Sequence, residues 1–595
     1  APLELGGLDL AVVDRPSGTR SGVKVVDFGA AGTEPQRQTD QDLDAFATSL
    51  REVVLAGQRA GKVLDRVQDR LVAASEPKSS RGEGSLEARR LTRELLIQLA
   101  STLPQSNGSE YFAEKLPFHA AIVTDEYMLN FYKDAFTKVT YVRPSMVDQV
   151  AANGFDLLIY VTCWKGIYDE EWRGVKFRET PREALDKLLA HARENGRPTF
   201  FQSIEDPSNF EYFLPIAEKF DHVFTSDTDC LEAYRRELGH DRVHYGEYGA
   251  NPLLNNPIGS YRHTLNKAFF AGSYPKRYRE RVDDMHVIFD SILATGENLT
   301  LVDRNFGNEE YAFPELYAGV SLEPMPHDLL QRVHKLFRWS LNFNSIKSSP
   351  TMCAMRIYEL QAQGRGLISN YARSVFNRFP EIRIVADHEN LASYFTAEIP
   401  LSEHRNNETQ VRSILTNCTA QDIATRMLNA AGIDTGLQRT TPRVALIAEQ
   451  PDDQLRHEIA AQSYPEVELV EGNVDPGDLI SRGFRYIGRV DTSHTYGLHY
   501  VTDRVNAFKY TDSAFITQSA SVQDGRIDGP AHEFVERPED GVVDRFGRAH
   551  DVPNLFVSDG SQFTTGAAAN PTLTIVALAI RQAEHIAESL RAGTV

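Results

Sequence analysis

The stretch that decides the fold runs from residue 341 to residue 364 and reads LNFNSIKSSPTMCAMRIYELQAQG. Its apolar start predicts a short strand, its Ser- and Pro-rich middle predicts a loop, and its last part predicts a helix that ends at Gly364. Ser349 suits the N-cap of that helix, and Pro350 suits the first helical position, where a missing N–H has no partner to lose. A strand that leads through a polar loop into a helix is typical of α/β domains.

The same loop has the features of an anion site. Free backbone N–H groups and the positive end of a helix attract phosphate, and Lys347 adds charge beside them. Arg356 and Glu359 lie three residues apart, on the same side of the helix. The pattern suits a sugar nucleotide whose ribose hydroxyls donate to Glu359. It suits equally well an ordinary capped helix with a surface Arg–Glu pair.

Several motifs in consistent order resemble the spore-maturation (CgeB-like) glycosyltransferases of GT-B fold. They are residues 248–252, 270–274, 302–305, 326–330, 342–364, 369–371 and 379–380. The resemblance implies an α/β fold with a GT-B-like pair of doubly wound parallel-sheet domains around one cleft. It also implies a hexosyltransferase-type enzyme that moves a sugar from a nucleotide-sugar donor to a cell-surface, polysaccharide or other glycan acceptor.

The resemblance also implies roles for individual residues. The expected donor-binding residues are Gly272, Ser273, Lys276, Arg277, Arg304, Asn305, Ser349, Thr351 and Glu359. Arg356 and Lys347 are candidate catalytic residues that would stabilise the leaving diphosphate, and Glu126 is a third candidate. Since basic side chains neutralise that diphosphate, no metal and no other cofactor is expected. His327 opens a predicted helix and is interpreted as a cap or a satisfied polar residue.

Carboxylates follow two predicted strands of the first sheet domain, and they mark its acceptor side. Asp125 and Glu126 follow one strand, while Glu205 and Asp206 follow another. Ligands of open α/β sheets bind outside the carboxyl ends of the strands, so these groups are candidates to orient an acceptor hydroxyl or to act as a base. Helix capping is the alternative role. Trp164 follows a third strand and is a candidate acceptor wall, or else a core residue.

Composition limits the class of protein. The 595 residues predict three to five domains. A net charge of −20, from 63 Lys and Arg against 83 Asp and Glu, argues against a nucleic-acid partner. The widely spaced cysteines predict buried thiols in a reducing compartment; they are Cys163, Cys230, Cys353 and Cys418. No apolar run is long enough for a transmembrane helix, so a cytoplasmic protein is expected.

Pattern and composition divide the chain into six segments. These are an extended or flexible N-terminus (1–40), a helical region (41–110), an acceptor domain (111–255), a nucleotide-sugar domain (256–435), a degenerate GT-A-like segment (440–536) and a tail (537–595). In the helical region, apolar residues recur at helical spacing, and one helix is predicted from Leu86 to about Leu103. These helices are candidates for a homodimer contact, or they pack within the chain.

Residues 443–470 resemble the first βαβ unit of a GT-A glycosyltransferase, and residues 486–517 resemble its metal-site region. Where such enzymes carry a run of aspartates, this chain has Asp491-Thr492-Ser493-His494. One carboxylate and a histidine suit Mg²⁺ or Mn²⁺ poorly. A non-catalytic module is therefore predicted here.

Residues 540–586 resemble the C-terminus of glucose–methanol–choline (GMC) flavin oxidoreductases. The resemblance implies that Asp559 and Gly560 lie near a flavin and that Asn570 partners a catalytic histidine. His532 stands nearby without the family's histidine context, and the Gly-rich flavin-binding motif is not found in this sequence. FAD-dependent oxidation of a sugar or alcohol is thus the alternative function, and a non-catalytic scaffold is a further alternative.

Overall fold

A computed structural model describes residues 9–12 and 83–534, apart from 297, 397, 438, 439, 518–520, 524, 525, 529 and 530, together with Ala583 and Ile586. The chain divides into two compact units, residues 1–16 with 77–532 and residues 17–76 with 533–595. The GMC-like tail, apart from Ala583 and Ile586, and the predicted helices before residue 83 lie outside the described residues. The architecture below is that of the first unit.

Two elements precede the first sheet, strand β1 (Asp9–Val12) and helix α1 (Glu83–Ser101). The structure confirms the helix predicted from Leu86. Helix α1 packs against elements around residues 321–334 of the same chain.

The first sheet domain contains six parallel strands in the order β3-β2-β4-β5-β6-β7. The strands are β2 (Leu116–Val123), β3 (Phe136–Tyr141), β4 (Leu157–Val161), β5 (Thr199–Ser203), β6 (His222–Thr225) and β7 (Val243–Tyr245). The helices are α2 (Glu126–Tyr132), α3 (Val147–Asn153), α4 (Glu179–Glu194), α5 (Phe210–Ala217) and α6 (Leu231–Leu238). Alternate residues of β4 pack into two different cores, Leu157 and Ile159 in one and Leu158 and Tyr160 in the other. Both faces of the sheet are covered, as buried apolar runs predict.

The second sheet domain also has six parallel strands, in the order β10-β9-β8-β11-β12-β13. The strands are β8 (Leu265–Gly272), β9 (Leu299–Asp303), β10 (Ser321–Leu322), β11 (Phe337–Asn342), β12 (Gly366–Ser369) and β13 (Arg383–Ile384). The helices are α7 (Arg279–Leu293), α8 (His327–His334), α9 (Arg356–Ala362) and α10 (Arg373–Arg378). The predicted α/β class, with a pair of doubly wound parallel-sheet domains, is confirmed.

The helix of the opening stretch begins later than predicted. Helix α9 starts at Arg356, so the prediction that Ser349 caps it and that Pro350 is its first residue is wrong. The Ser349 hydroxyl does accept from the backbone N–H of Met352 at 2.9 Å, but it also donates to Asp227 of the first sheet domain at 2.8 Å. This docking stabilises a turn instead of a helix. The predicted end is confirmed, because Gly364 follows the helix with φ +70°.

The chain then returns to the first sheet domain through α11 (Leu401–Asn417) and α12 (Ala420–Ala430). Between these helices, Ala250 donates to Cys418 O and accepts from Ala420 N, both at 2.9 Å. A Cβ on Gly249 would lie 2.2 Å from Cys418 O, so only glycine permits this close approach. Helix α12 packs on α2, which holds the two sheet domains together.

A third sheet follows, in the order β15-β14-β16-β1-β17. Its strands are β14 (Val444–Ala448), β15 (Val467–Glu471), β16 (Tyr486–Arg489) and β17 (Phe515–Thr517), and its helices are α13 (Asp453–Ala460), α14 (Pro476–Ser481) and α15 (Tyr500–Ala507). β14 and β15 are parallel and joined by α13, as the βαβ resemblance predicts. Strand β1 pairs antiparallel with both β16 and β17. A two-stranded ribbon, β18 (Ser521–Gln523) and β19 (Arg526–Asp528), comes last.

Among the described residues, no helix is both long and apolar enough to cross a membrane. Cys163, Cys230 and Cys353 are buried free thiols, as predicted, and Cys418 is a half-buried one.

Candidate functional site

The carboxyl ends of the two parallel sheets meet at one cleft. Asp125 follows β2 in the first sheet domain, and Arg304 follows β9 in the second. The positive charge of Arg304 acts on Asp125, which places these two strand ends opposite each other. The site is therefore where ligands of open α/β sheets bind.

Three arginines of the second sheet domain form a cationic cluster in this cleft. Arg281 lies in the first turn of α7, Arg304 at the end of β9 and Arg356 at the start of α9. Burial, followed by the charges of Arg356 and Arg304, lowers the pKa of Arg281 to about 9. Burial and Arg304 likewise lower the pKa of Arg356 to about 10. The charge of Arg304 thus disfavours the charges of Arg281 and Arg356, and an anionic ligand between them would relieve this repulsion.

The hydrogen-bond partners of Arg281 and Arg356 are neutral groups. Arg356 donates to the carbonyl of Ala271 at 2.6 Å, and Arg281 donates to the hydroxyl of Ser345 at 3.0 Å. The Nε of Arg281 is buried without a hydrogen-bond partner. Within the part of the chain that the structure describes, no carboxylate oxygen lies within 4.0 Å of Arg281, Arg304 or Arg356. The cluster can therefore accept an anionic ligand without first breaking an ion pair.

Beside the cluster, the second sheet domain holds a buried His–Glu pair, whose histidine also contacts the first sheet domain. His327 Nε2 lies 3.1 Å from Glu359 Oε1, and His327 Nδ1 lies 3.2 Å from the side-chain amide of Asn130 in α2. Burial alone would lower the pKa of His327, but the carboxylate of Glu359 outweighs it and raises that pKa above its ordinary value. The negative charge of Glu126 also acts on His327. Glu126 and Glu359, which lie on separate domains, therefore both act electrostatically on one histidine.

The opposite wall carries two half-buried carboxylates. Asp125 accepts from the backbone N–H groups of Gly166 at 2.9 Å and Trp164 at 3.3 Å. Glu205 accepts from Asn209 at 2.8 Å. Burial raises the pKa of both Asp125 and Glu205. Asp125, Glu205 and Trp164 therefore lie close together, and their role at the acceptor side stays a prediction.

Other predicted donor-side residues lie near the cleft but already have partners. Lys347 pairs with Asp284 at 2.9 Å and with Glu280 at 3.7 Å, and Lys276 donates to Glu309 O at 2.8 Å. Gly272 ends β8, and the next residue, Ser273, accepts from Asn305 at 2.8 Å. Arg277 faces Glu205, lowering the pKa of that carboxyl against the effect of burial. The roles of these residues stay predictions.

The hydroxyls of Ser349 and Thr351 face the first sheet domain. Thr351 donates to Ser226 O and accepts from Thr228 N, both at 3.0 Å, while Ser349 donates to Asp227. Both side chains therefore join the two sheet domains. Any contribution to donor binding remains a prediction.

Asp206 is not brought to the cleft. It is buried inside the first sheet domain, where it accepts from Thr225 at 2.6 Å and from Tyr234 at 3.3 Å. Burial raises the pKa of Asp206 to about 6.

Asp206 is expected to make the stability of the protein pH-dependent. Because its pKa is higher in the folded protein than the ordinary 3.8, its contribution is complete below pH 3.8 and is lost as the pH rises through about 6. The free energy of unfolding should fall by up to about 3 kcal/mol over this window. In Asp206→Asn the free energy of unfolding should depend less on pH than in wild type. Urea unfolding at pH 4 to 7 would measure this difference. The surface variant Asp148→Asn is the control, and an equal slope in wild type and Asp206→Asn contradicts the prediction.

Two residues that contribute to the cleft were not predicted as functional. Arg281 received no role, although it follows Arg277 and Arg279 in a short basic run. His327 was interpreted as a cap or satisfied polar residue, and the structure shows it paired with Glu359. Residues 326–330 form one of the motifs that resemble the CgeB-like family, and this motif indicated a possible role for His327.

Two histidines outside the cleft have local partners. His494 lies 2.8 Å from Asp491, which also accepts from Ser493. His532 Nε2 lies 2.9 Å from Glu408 Oε1. Among the described residues, no group of three or more His, Cys, Asp or Glu side chains is placed to hold a metal ion.

A cavity of about 610 Å³ lies elsewhere, between edge strand β7 and helix α12. Its walls include Phe224, Val243, Tyr245 and Met427. None of the cleft residues above lines it, so the chemistry of the cleft does not use it.

Comparison with known proteins identifies relatives of the tail. A family model described as GMC oxidoreductase matches residues 534–579. The 2-methyl-1,2-propanediol dehydrogenase of Mycolicibacterium austroafricanum is 57% identical over 49 residues, 8% of this chain and 9% of that protein. The fructose dehydrogenase large subunit of Gluconobacter japonicus is 41% identical over 56 residues, 9% of this chain and 10% of that protein. The chain thus spans about a tenth of the curated relatives it matches, in the segment where the sequence resembles that family.

Among solved structures, Anabaena HepE in complex with UDP-glucose has a TM-score of 0.33 at 12% identity, over 53% of this chain and 98% of that chain. A UDP-forming α,α-trehalose-phosphate synthase from Burkholderia xenovorans has a TM-score of 0.31 at 9% identity, over 49% of this chain and 77% of that chain. Similarities this low assign no activity to the chain.

Proposed function

We propose that this protein is a glycosyltransferase that moves a sugar from a nucleotide-sugar donor to a glycan acceptor. The observation that carries the proposal is the cluster of Arg281, Arg304 and Arg356 at the meeting point of two parallel sheets. A nucleoside diphosphate has the charge that such a cluster lacks, and guanidinium groups match phosphate oxygens in pairs. The ordered motifs that resemble the CgeB-like glycosyltransferases support the same function and suggest that subtype.

The donor would bind to the second sheet domain. Its diphosphate would contact the three arginines, and Lys347 would contribute by exchanging one of its carboxylate partners. As the bond between the anomeric carbon and the diphosphate oxygen breaks, negative charge grows on the leaving oxygen. Guanidinium groups already in place stabilise that charge, which makes a metal or other cofactor unnecessary in this mechanism.

The acceptor would bind to the first sheet domain. Its hydroxyl oxygen forms the new bond to the anomeric carbon, and its proton must pass to a base. Glu126 is the candidate base, since it is exposed at the start of α2 and its charge reaches His327. Asp125 and Glu205 would orient other hydroxyls. His327, paired with Glu359 of its own domain, would link the two walls through Asn130.

The tail match favours one second candidate, an FAD-dependent oxidoreductase that acts on a sugar or alcohol. The Gly-rich flavin-binding motif is not found in this sequence. We therefore give the transferase priority.

A thermal-shift screen tests the two functions against each other. A visible spectrum is recorded first, and the protein is then heated with UDP, GDP, CMP, UDP-sugars or FAD. A colourless sample stabilised by one nucleoside diphosphate is expected, by about 2.7 kcal/mol at a hundredfold excess over Kd. The matching nucleoside, which lacks the diphosphate, is the control and should stabilise much less. A yellow sample, or a shift with FAD alone, would overturn the transferase.

A further inference from the structure

An exposed aromatic surface lies beside the acceptor carboxylates. It consists of Trp164, Phe177 and Tyr212, with Lys176 above two of the rings, and is called the aromatic platform below. We infer that the acceptor is an oligosaccharide chain whose inner sugars stack on this platform. The inference rests on the proposed function, because it identifies the acceptor of that same cleft.

The rings of the platform contact one another yet remain open to solvent. The ring of Tyr212 lies 5.1 Å from that of Trp164 and 5.7 Å from that of Phe177, between centroids. Phe177 is 69% exposed and Trp164 is 37% exposed. The Lys176 ammonium lies 5.6 Å from the centroid of Phe177 and 5.3 Å from that of Tyr212. Contiguous exposed aromatic surface with a polar rim marks a binding site.

The chemistry of the platform selects its ligand. A sugar ring presents an apolar face of C–H groups to an aromatic ring, while its hydroxyls bond to polar groups at the rim. A nucleic-acid strand would also stack on aromatic rings, but it requires a basic surface, and this chain has a net charge of −20. An uncharged oligosaccharide can stack on the aromatic rings and is not repelled by the net negative charge of the chain.

The platform is continuous with the acceptor site. The Trp164 backbone N–H donates to Asp125 at 3.3 Å. The indole of Trp164 lowers the pKa of the Glu205 carboxyl against the effect of burial. A chain whose terminal sugar contacts these carboxylates would therefore place its following sugars over Trp164 and Tyr212. A monosaccharide would leave most of the platform uncovered.

Several contacts restrain the loop that presents Trp164 and Phe177. It runs from residue 162 to residue 178, between β4 and α4, and contains Asp169 and Glu170 at φ +51°. Left-handed conformations cost energy in non-glycine residues and persist only where the surroundings enforce them. Arg143 provides this restraint, with ion pairs to Glu171 at 2.6 Å and Asp169 at 3.3 Å.

The loop is also anchored to the core of the first sheet domain by Trp172. Trp172 is fully buried and donates to Val142 O at 2.8 Å. A rigid loop loses little conformational freedom when a ligand binds. The platform is therefore pre-organised.

A glycan array of mono- to decasaccharides, followed by fluorescence titration with the chain that binds most tightly, tests the inference. Of three tryptophans, Trp172 and Trp339 are buried, so a ligand on the platform should change mainly the emission of Trp164. Phe177→Ala should weaken binding about two- to tenfold, and Trp164→Ala with Phe177→Ala by more than tenfold on the array. Phe376→Ala, an equally exposed aromatic on α10, should leave the affinity unchanged.

Three results would overturn the inference: no glycan on the array binds, the double variant keeps its affinity, or a monosaccharide binds as tightly as the chain. Binding of the nucleoside diphosphate is measured in the same samples. If it persists while the platform fails, only this inference is wrong. If no nucleoside diphosphate binds, the proposed function itself fails.

Discussion

Arg304→Ala is expected to weaken the binding of the nucleoside diphosphate about a hundredfold and to lower kcat by about 10²- to 10³-fold, the range seen when one transition-state donor is lost. Arg304 has no carboxylate within 4.0 Å among the described residues, so its charge is available to the ligand. Isothermal titration with the diphosphate found in the screen measures the affinity. Turnover of the corresponding nucleotide-sugar measures kcat.

Although Arg304→Ala should weaken ligand binding, it should not lower the thermal stability of the ligand-free protein. Because Arg304 lowers the pKa of both Arg281 and Arg356, its removal relieves repulsion, and the ligand-free protein should melt no lower than wild type. Arg304→Lys keeps the charge but loses the paired donors, so its affinity should be intermediate. Arg236→Ala, on the exposed side of α6, is the matched control. If Arg304→Ala binds the nucleoside diphosphate as tightly as wild type, the arginine cluster does not bind the donor, and the proposed function loses its main support.

Glu403→Ala should destabilise the protein by about 3–5 kcal/mol, the cost of leaving a buried charge unpaired. Arg338 on β11 is 1% exposed and binds Glu403 through two hydrogen bonds, of 2.8 and 2.7 Å. Its remaining donor group contacts Asn266 and Thr396. Urea unfolding would measure the loss.

Two control variants test whether the loss comes from leaving the buried charge of Arg338 unpaired. Glu232→Ala breaks the exposed pair with Arg235 and should cost only about 0.5 kcal/mol. Replacing both members of the buried pair, Arg338→Met with Glu403→Leu, should recover much of the stability, since such replacements are often neutral. A loss below about 1 kcal/mol in Glu403→Ala would mean that water reaches Arg338.

The candidate site was partly foreseen. Asp125, Arg304 and Arg356 were named because strand ends and basic residues can be read from local pattern, and the structure brings them to one cleft. Arg281 and His327 were not given their roles because both depend on partners from other elements: Arg304 and Arg356 for the first, Glu359 and Asn130 for the second.

Local sequence pattern was enough to predict the alternation of buried strands and helices, the two parallel sheets and the end of α9 just before Gly364. These follow from hydrophobic runs and backbone preferences that act over a few residues. Tertiary structure alone decided where α9 begins, because the hydroxyl of Ser349 donates to Asp227 of the other sheet domain. It also decided that β1 joins the third sheet, because residues 9–12 pair with residues 486–488 and 515–517, in strands distant along the chain. Hydrogen bonds between segments so distant in sequence leave no periodic signal in either one.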